Sequence, residues 1–207
     1  MTASAGVKKV VPEHRYVGVK KCRTCHKKEL IGDQYGKWRE GVHAKALETL
    51  RGDKAREFAQ KKGITAPPWE SEDCLKCHVT AYGVDERWLP SRPLDPADGV
   101  QCESCHGPGH DYRKKKITSK HETALKKGLW EAGKDPEICT RCHNDESPAW
   151  DPSKFERADG TTAGFDFELA KKKIQHPIPK EVKGHYIELE KKQRAKKRAR
   201  REQEQEE

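Results

Sequence analysis

The chain has 207 residues, of which 37% are charged and only 32% are hydrophobic, and its formal charge at pH 7 is +9. That length fits one or two domains. So low a hydrophobic content would by itself favour disorder or a poor core. No hydrophobic stretch approaches the length of a membrane span, and no signal peptide is visible. A compact fold therefore needs something besides the chain's own apolar side chains.

One pattern, Cys-x-x-Cys-His, occurs four times in the chain. Its copies, called here the first to fourth motifs, lie at residues 22–26, 74–78, 102–106 and 139–143. This pattern is the attachment signature of c-type haem: the two cysteines form thioether bonds to the porphyrin, and the adjacent histidine binds the iron from one side. All eight cysteines belong to a motif, so none is left over. Zinc binding is the alternative for such cysteine pairs, and it predicts a colourless protein.

We therefore predict four covalently attached c-type haems. The predicted attachment residues are Cys22, Cys25, Cys74, Cys77, Cys102, Cys105, Cys139 and Cys142, and the predicted proximal iron ligands are His26, His78, His106 and His143. Because each haem adds a large apolar surface, we expect a mainly α fold with long loops. Short helices would wrap a stack of four haems, with little or no β-sheet. Without haem the chain should be largely unfolded.

The haems also change the charge balance. Each carries roughly −1 when ferric and −2 when ferrous, which brings the holoprotein to about +5 oxidised and +1 reduced. The basic composition is thus weak evidence for nucleic-acid binding, and we predict no nucleic-acid partner. Many lysines are expected instead to neutralise haem propionates and to steer redox partners with acidic docking surfaces.

The sixth iron ligands are limited by composition. The only methionine is Met1, which excludes histidine–methionine ligation. A sixth ligand must be histidine, lysine, water or nothing. The six histidines outside the motifs are His14, His43, His110, His121, His176 and His185.

The first predicted elements come from hydrophobic spacing. Residues 1–13 are predicted to be a flexible lead, followed by one haem domain at 14–187. A helical pattern at 36–50 carries Trp38, Val42, Ala46 and Leu50, with His43 on or near that face. His43 is therefore a candidate iron ligand rather than a plain surface histidine. A short helix is predicted at 54–62.

The proline-rich loop at 89–96 contains no histidine, so the second haem has no sequence-near candidate for its distal face. Beyond the third motif, a helix at 120–127 is predicted to be capped by Thr118 or Ser119 and closed by Gly128. His121 would lie in its first turn.

A polar loop is predicted at 151–164. It is followed by a helix from Phe167 that Pro177 ends just after His176, which is a second candidate ligand. Residues 188–207 are predicted to be a charged tail, either a solvated helix or disordered. Docking of this tail to anionic lipid or to an acidic partner is the alternative interpretation.

Four features together resemble the cytochrome c-554 family of tetrahaem electron carriers, over roughly residues 16–186. They are the order of the motifs, Trp38 followed by the run His43-Ala44-Lys45-Ala46, the run Gly99-Val100 before the third motif with Gly107-Pro108-Gly109 after it, and the helix that ends at His176.

The resemblance implies that distal histidines come from remote segments. His176 would complete the third haem and His43 the fourth. The second haem would have His78 alone, with an open coordination site. His14 and His185 are expected to be surface residues, and either of them filling that site is the alternative.

A histidine after the third motif would complete the first haem. The family places this histidine a little beyond the Gly-Pro-Gly run, whereas here His110 is closer and His121 is farther along the chain. His121 is preferred, because the start of a helix can orient its ring, and His110 is the alternative.

The leading functional prediction is a periplasmic electron-transfer protein, because histidine–histidine ligation closes iron to substrate. Since haem is generally attached outside the cytoplasm, we expect a periplasmic or extracellular location and a signal that was removed or replaced. One alternative is nitric oxide or hydroxylamine chemistry at the open second haem, as a possible reductase activity, and another is a subunit of an extracellular cytochrome filament. A monomer or weak dimer is expected, without a membrane span.

Overall fold

The structure is a computed structural model that describes residues 12–145, 147, 150–151, 164–183 and 185–206. Within these residues the regular structure is helical and no β-strand occurs, as the sequence predicted. The α-helices are α1 Val19–His26, α2 Gln34–Glu40, α3 Ala46–Thr49, α4 Asp53–Lys61, α5 Glu72–His78, α6 Cys102–His106, α7 Lys115–Thr118, α8 His121–Leu125, α9 Glu137–Thr140, α10 Phe167–Ile174 and α11 Tyr186–Glu206. Short 3-10 turns lie at Glu29–Ile31, His43–Lys45, Glu86–Trp88 and Pro96–Asp98.

Every motif lies at a helix. The first motif ends α1, the second ends α5, and the third forms α6. The fourth begins in α9, and the following turn carries His143, whose backbone N–H donates to the Cys139 carbonyl at 3.0 Å. Each motif thus forms about one helical turn, which brings its two cysteines and its histidine close together.

The helix predicted at 36–50 is broken into three pieces. It stops at Gly41, whose backbone is extended, and resumes as the 3-10 turn His43–Lys45 and then as α3. The break has a long-range cause, since the His43 carbonyl accepts a hydrogen bond from the Val100 N–H at 2.9 Å. Val42, which helical spacing placed on the apolar face, is 71% exposed.

Two helices lie close to their predicted places. The helix expected at 54–62 is α4, and the one expected from Phe167 is α10, whose first turn is capped by the Asp166 carboxylate through the Leu169 N–H. The helix predicted at 120–127 is shorter and begins at His121. Its N-terminal flanking residue is Lys120 rather than Thr118 or Ser119, because those two lie at the end of α7. Gly128 follows it with a φ of 92°.

Two predicted segments lie mostly outside the described residues, namely the lead at 1–13 and the polar loop at 151–164. The charged tail is α11, so the helical alternative holds for its described part. None of the helices in the described part combines the length and the apolar composition that a membrane span requires.

The described residues bury few apolar side chains. These are Tyr16, Val19, Ile31, Ala44, Ala46, Leu50, Ala59, Tyr112, Ala124 and Val182. Of the three largest side chains that are almost fully buried, two are polar, Gln101 and Glu103, and the third is Val19. The protein-only core is therefore thin and partly polar.

Residues 98–104, called here the central segment, connect the parts of the fold that carry the motifs. The Glu103 carboxylate, 0% exposed, accepts backbone N–H groups from Val17 at 2.9 Å, Gly18 at 2.7 Å and Gly109 at 2.6 Å. The Gln101 side-chain oxygen accepts the Val19 N–H at 2.8 Å. The central segment thus fixes the chain that enters the first motif.

The central segment also binds the exit of the second motif and the segment that carries His43. The Thr80 hydroxyl, 4% exposed, accepts the Gln101 N–H at 2.6 Å and lies 2.8 Å from the Ser104 hydroxyl. At Gly99, whose φ is 58°, a Cβ atom would lie 2.7 Å from the His43 carbonyl oxygen. Only glycine therefore permits this close approach.

Candidate functional site

The four motifs share one large cavity. Its volume is about 3360 Å³, and its lining includes at least one cysteine and the histidine of every motif. Pockets for a single small ligand measure roughly 300–1,000 Å³. The space is therefore of a size for several large cofactors rather than for one substrate.

Two pairs of histidines face each other across this cavity. The ring centres of His43 and His143 are 6.1 Å apart, and those of His106 and His176 are 6.0 Å apart. An imidazole nitrogen binds a first-row metal at about 2.0–2.1 Å, so two rings on opposite sides of one ion have centres roughly 6.4 Å apart. Each pair is thus spaced to hold one iron between its rings.

Hydrogen bonds orient three of the candidate ligand rings. The Nδ1–H of His78 donates to the Ala46 carbonyl at 2.6 Å, and that of His176 donates to the Ile174 carbonyl at 2.9 Å. His26 Nδ1–H donates to the side-chain oxygen of the buried Gln34 at 3.3 Å. A metal-binding histidine typically uses its second nitrogen in this way, which leaves Nε2 for the metal. Sequence reasoning missed Gln34, because nothing in its local sequence marks it as a partner of His26.

Burial keeps several of the candidate ligands neutral. It lowers the pKa of His106 to about 4, and it also lowers the pKa values of His26, His43 and His143. Nearby imidazoles act in the same direction, including His176 beside His106. Only the neutral ring can bind a metal, so these environments favour the form that ligation requires.

The remaining histidines are placed differently. His121 lines the cavity, but its Nε2 lies 3.0 Å from a Glu131 oxygen, and its side chain is 62% exposed. His110 has an exposed ring 2.8 Å from Asp111. Within the described residues, no ring contact joins His26 to either of them, so neither candidate is paired with the first motif there.

His14 and His185 were predicted to be surface residues. His185 is exposed, although it lines the cavity. His14 is only 24% exposed, and its Nδ1 lies 2.8 Å from an Asp111 oxygen. Its ring also packs against Gly128. Of the polar groups near the second motif, Tyr82 and Asp85 line the cavity, and Thr80 is buried. Asp85 also forms an exposed ion pair with Arg87.

The motifs are not neighbours in the order in which the chain runs. The first and third are adjacent, since α1 contacts α6 and the neighbouring Cys102 side chain raises the pKa of the Cys22 thiol. The third and fourth are adjacent, since the Arg141 guanidinium donates to the Ser104 carbonyl at 3.3 Å. The fourth and second meet through the thiols of Cys77 and Cys142. The spatial order is therefore first, third, fourth and second.

Paired thiols beside neutral imidazoles, arranged around one cavity, fit covalently bound haem. They define a multihaem cytochrome of the c type. The family model "Cytochrome c554 and c-prime" matches residues 21–107.

The chain is similar to cytochrome c-554 of Nitrosomonas europaea, with 34% identity over 151 residues that cover 67% of this chain and 62% of that protein. It thus spans about three fifths of the length of that curated relative. The solved structure of reduced cytochrome c554 from Nitrosomonas europaea is 30% identical, with 77% of this chain and 78% of that chain covered and a TM-score of 0.48. The chain belongs to the cytochrome c-554 family, and its four motifs fit the four c-type haems of that family.

Proposed function

We propose that this protein carries electrons between redox partner proteins in the periplasm. The observation that supports this most is the pair of facing imidazoles at each of two motifs, because two protein ligands leave an iron no position for substrate. Bound haem iron cycles between ferric and ferrous states and supplies the one-electron chemistry. The periplasmic location follows from the usual site of covalent haem attachment.

The roles of the chain's residues follow from the motifs and the ring pairs. The eight cysteines hold four haems, and each motif histidine is the proximal ligand. His176 completes the third haem and His43 completes the fourth. For the first haem we propose His121, because it lines the cavity and has to release only its hydrogen bond to Glu131, whereas the His110 ring is held by Asp111.

The second haem is proposed to have an open coordination site. Its proximal candidate His78 is oriented by the Ala46 carbonyl. Among the described residues, no ring contact joins His78 to another imidazole. Carbon monoxide binding by the reduced protein tests this site. Uptake of carbon monoxide by one haem in four is the expected result, and absence of uptake would contradict the open site.

Electron paramagnetic resonance of the purified holoprotein tests the ligand set. We expect three low-spin haems and one high-spin haem. His43→Ala and His121→Ala should each convert one further haem to high spin, and added imidazole should reverse the change. His110→Ala is the matched control and should leave the spectrum unchanged. Conversion by His110→Ala but not by His121→Ala would reverse the assignment of the first haem.

Catalysis at the second haem is the second candidate function, and its open site is the observation that favours it. It predicts turnover of nitric oxide or hydroxylamine by the reduced holoprotein. Four low-spin haems would remove this candidate and leave electron transfer in place. A filament is distinguished by mass in solution, where we expect a monomer or weak dimer.

A further inference from the structure

The first turn of α11 is tied firmly to the haem domain. The Glu190 carboxylate is 7% exposed and forms ion pairs with Lys28 and Lys115. The Tyr186 hydroxyl donates to the same carboxylate at 3.1 Å, and both lysines also lie over the Tyr186 ring. Lys28 follows the first motif by two residues, so this anchor fixes where α11 leaves the protein.

Beyond Glu190 the helix is a solvated basic rod. Every residue from 191 to 205 is exposed. Eight of the eleven residues at 191–201 are Lys or Arg, and at 1.5 Å per residue they occupy roughly 16 Å of helix. This stretch, residues 191–201, is called here the basic rod.

The charge of the basic rod is only partly neutralised within the protein. Four of its cations form ion pairs with glutamates four residues away along α11. These pairs are Lys192–Glu188, Arg194–Glu190, Arg198–Glu202 and Arg200–Glu204. Lys191, Lys196, Lys197 and Arg201 have no ion pair with any residue that the structure describes. Exposed helical pairs of this kind are weak, so a polyanion can compete for all eight cations.

The distribution of these cations favours one kind of partner. At 100° per residue, the eight positions spread around the whole circumference of the helix. The only apolar residues of the rod are Ala195 and Ala199. Protein interfaces place aromatic or other large apolar side chains at their centre and are depleted in lysine. The rod has no large apolar side chains of this kind. Whichever side of the rod faces a flat surface, about half of its charges lie on that side.

We propose that the basic rod binds the anionic lipid headgroups of a membrane surface and holds the haem domain there. Clusters of four to eight Lys or Arg on a helix bind anionic lipid, with about a fivefold gain in affinity for each cation near the surface. Because the rod has no apolar face, this binding is electrostatic and peripheral, without insertion of the helix into the bilayer. The ties to Glu190 keep the first motif near the membrane.

The test is sedimentation of the full-length holoprotein with vesicles. One vesicle type contains phosphatidylglycerol in phosphatidylcholine, and the other contains phosphatidylcholine alone. We expect binding to the anionic vesicles only, and we expect it to disappear at high salt, where the Debye length falls to about 3 Å. Equal binding to both vesicle types, or binding to neither, would overturn the proposal.

Two variants with the same net charge separate the rod from the overall charge of the protein. The first changes Lys191, Lys196, Lys197 and Arg201 to Gln, and the second changes the exposed Lys54, Lys62, Lys126 and Lys127 to Gln. Because about two of the four removed cations would face the surface, we expect the first to weaken vesicle binding by roughly 25-fold. We expect the second to weaken it by less than about threefold. Comparable losses in both variants would refute a dedicated role of the rod.

An acidic protein is the competing partner, and polyglutamate is the probe for it. If polyglutamate binds through the rod and phosphatidylglycerol vesicles do not, the lipid proposal is wrong and the partner of the rod is an acidic protein. The haem spectra of both variants should match the wild type, because no substituted side chain is a proposed ligand. A failure of the lipid proposal therefore leaves the proposed electron transfer untouched.

Discussion

Glu103→Gln tests how much of the fold depends on one buried carboxylate. One of its oxygens accepts N–H groups from Val17 and Gly109, and the other accepts that of Gly18. Glutamine keeps one acceptor oxygen and replaces the other by an NH₂ group, which cannot accept. At least one backbone N–H then loses its partner, and the new amide donors face other donors.

Each buried donor without a partner costs about 1–3 kcal/mol. An opposing effect reduces the sum, because burial raises the pKa of Glu103 and the neutral amide avoids the desolvation of an ionised carboxylate. We expect a net loss of about 2 kcal/mol in the free energy of unfolding. For a chain of this size that lowers the melting temperature by roughly 4–8 °C.

The assay is thermal and guanidinium unfolding of the holoprotein, followed by far-ultraviolet circular dichroism. Glu48→Gln is the matched control, because Glu48 is exposed and should shift stability by less than about 0.5 kcal/mol. A Glu103→Gln protein as stable as this control would refute the reasoning. The central segment would then not be what holds the entry to the first motif.

Three further predictions follow from the same contacts. Thr80→Val removes the acceptor of the Gln101 N–H, so thermal unfolding should reveal a loss of about 1–3 kcal/mol, while the exposed Thr118→Val should cost much less. The pKa of Glu190 is lowered to about 2, first by its hydrogen bond to Lys115, so its stabilising effect is complete above its unfolded pKa and is lost as pH falls below about 4.5 towards 2. The protection of amides at the start of α11 against hydrogen exchange, relative to their intrinsic rates, should therefore fall in that range, and unchanged protection would contradict the anchor. Protein made without haem attachment should show no cooperative unfolding transition, because few apolar side chains are buried; a cooperative melt would show a sufficient protein-only core.

The motifs were predictable because their chemistry is local. Two thiols and an imidazole in five residues need only one helical turn to come together. The pairing of His43 and His176 with remote motifs is a prediction from resemblance to a family, and the structure places each ring about 6 Å from a motif histidine. Local sequence alone did not contain those pairings, since the partners are remote in the chain.

Other features depended on long-range contacts that no local pattern shows. Helical spacing at 36–50 did not indicate the break at Gly41, which accompanies the hydrogen bond from Val100 to the His43 carbonyl. In the sequence, Glu103 occupies only a variable position of the third motif. Its burial follows from three backbone donors on two other segments. Sequence periodicity reports which face of an element is apolar, but it does not report which remote backbone needs an acceptor.

The order of the motifs in space explains why the fold needs the haems as part of its core and does not merely bind them. Because the second motif meets the fourth and the first meets the third, each contact between motifs closes a long loop of chain. Closing such loops costs conformational entropy that short helices and ten buried apolar residues do not offset on their own. The cavity of about 3360 Å³ lies where the loops converge. Four haems, the complement that fits the family, would supply the missing buried surface there.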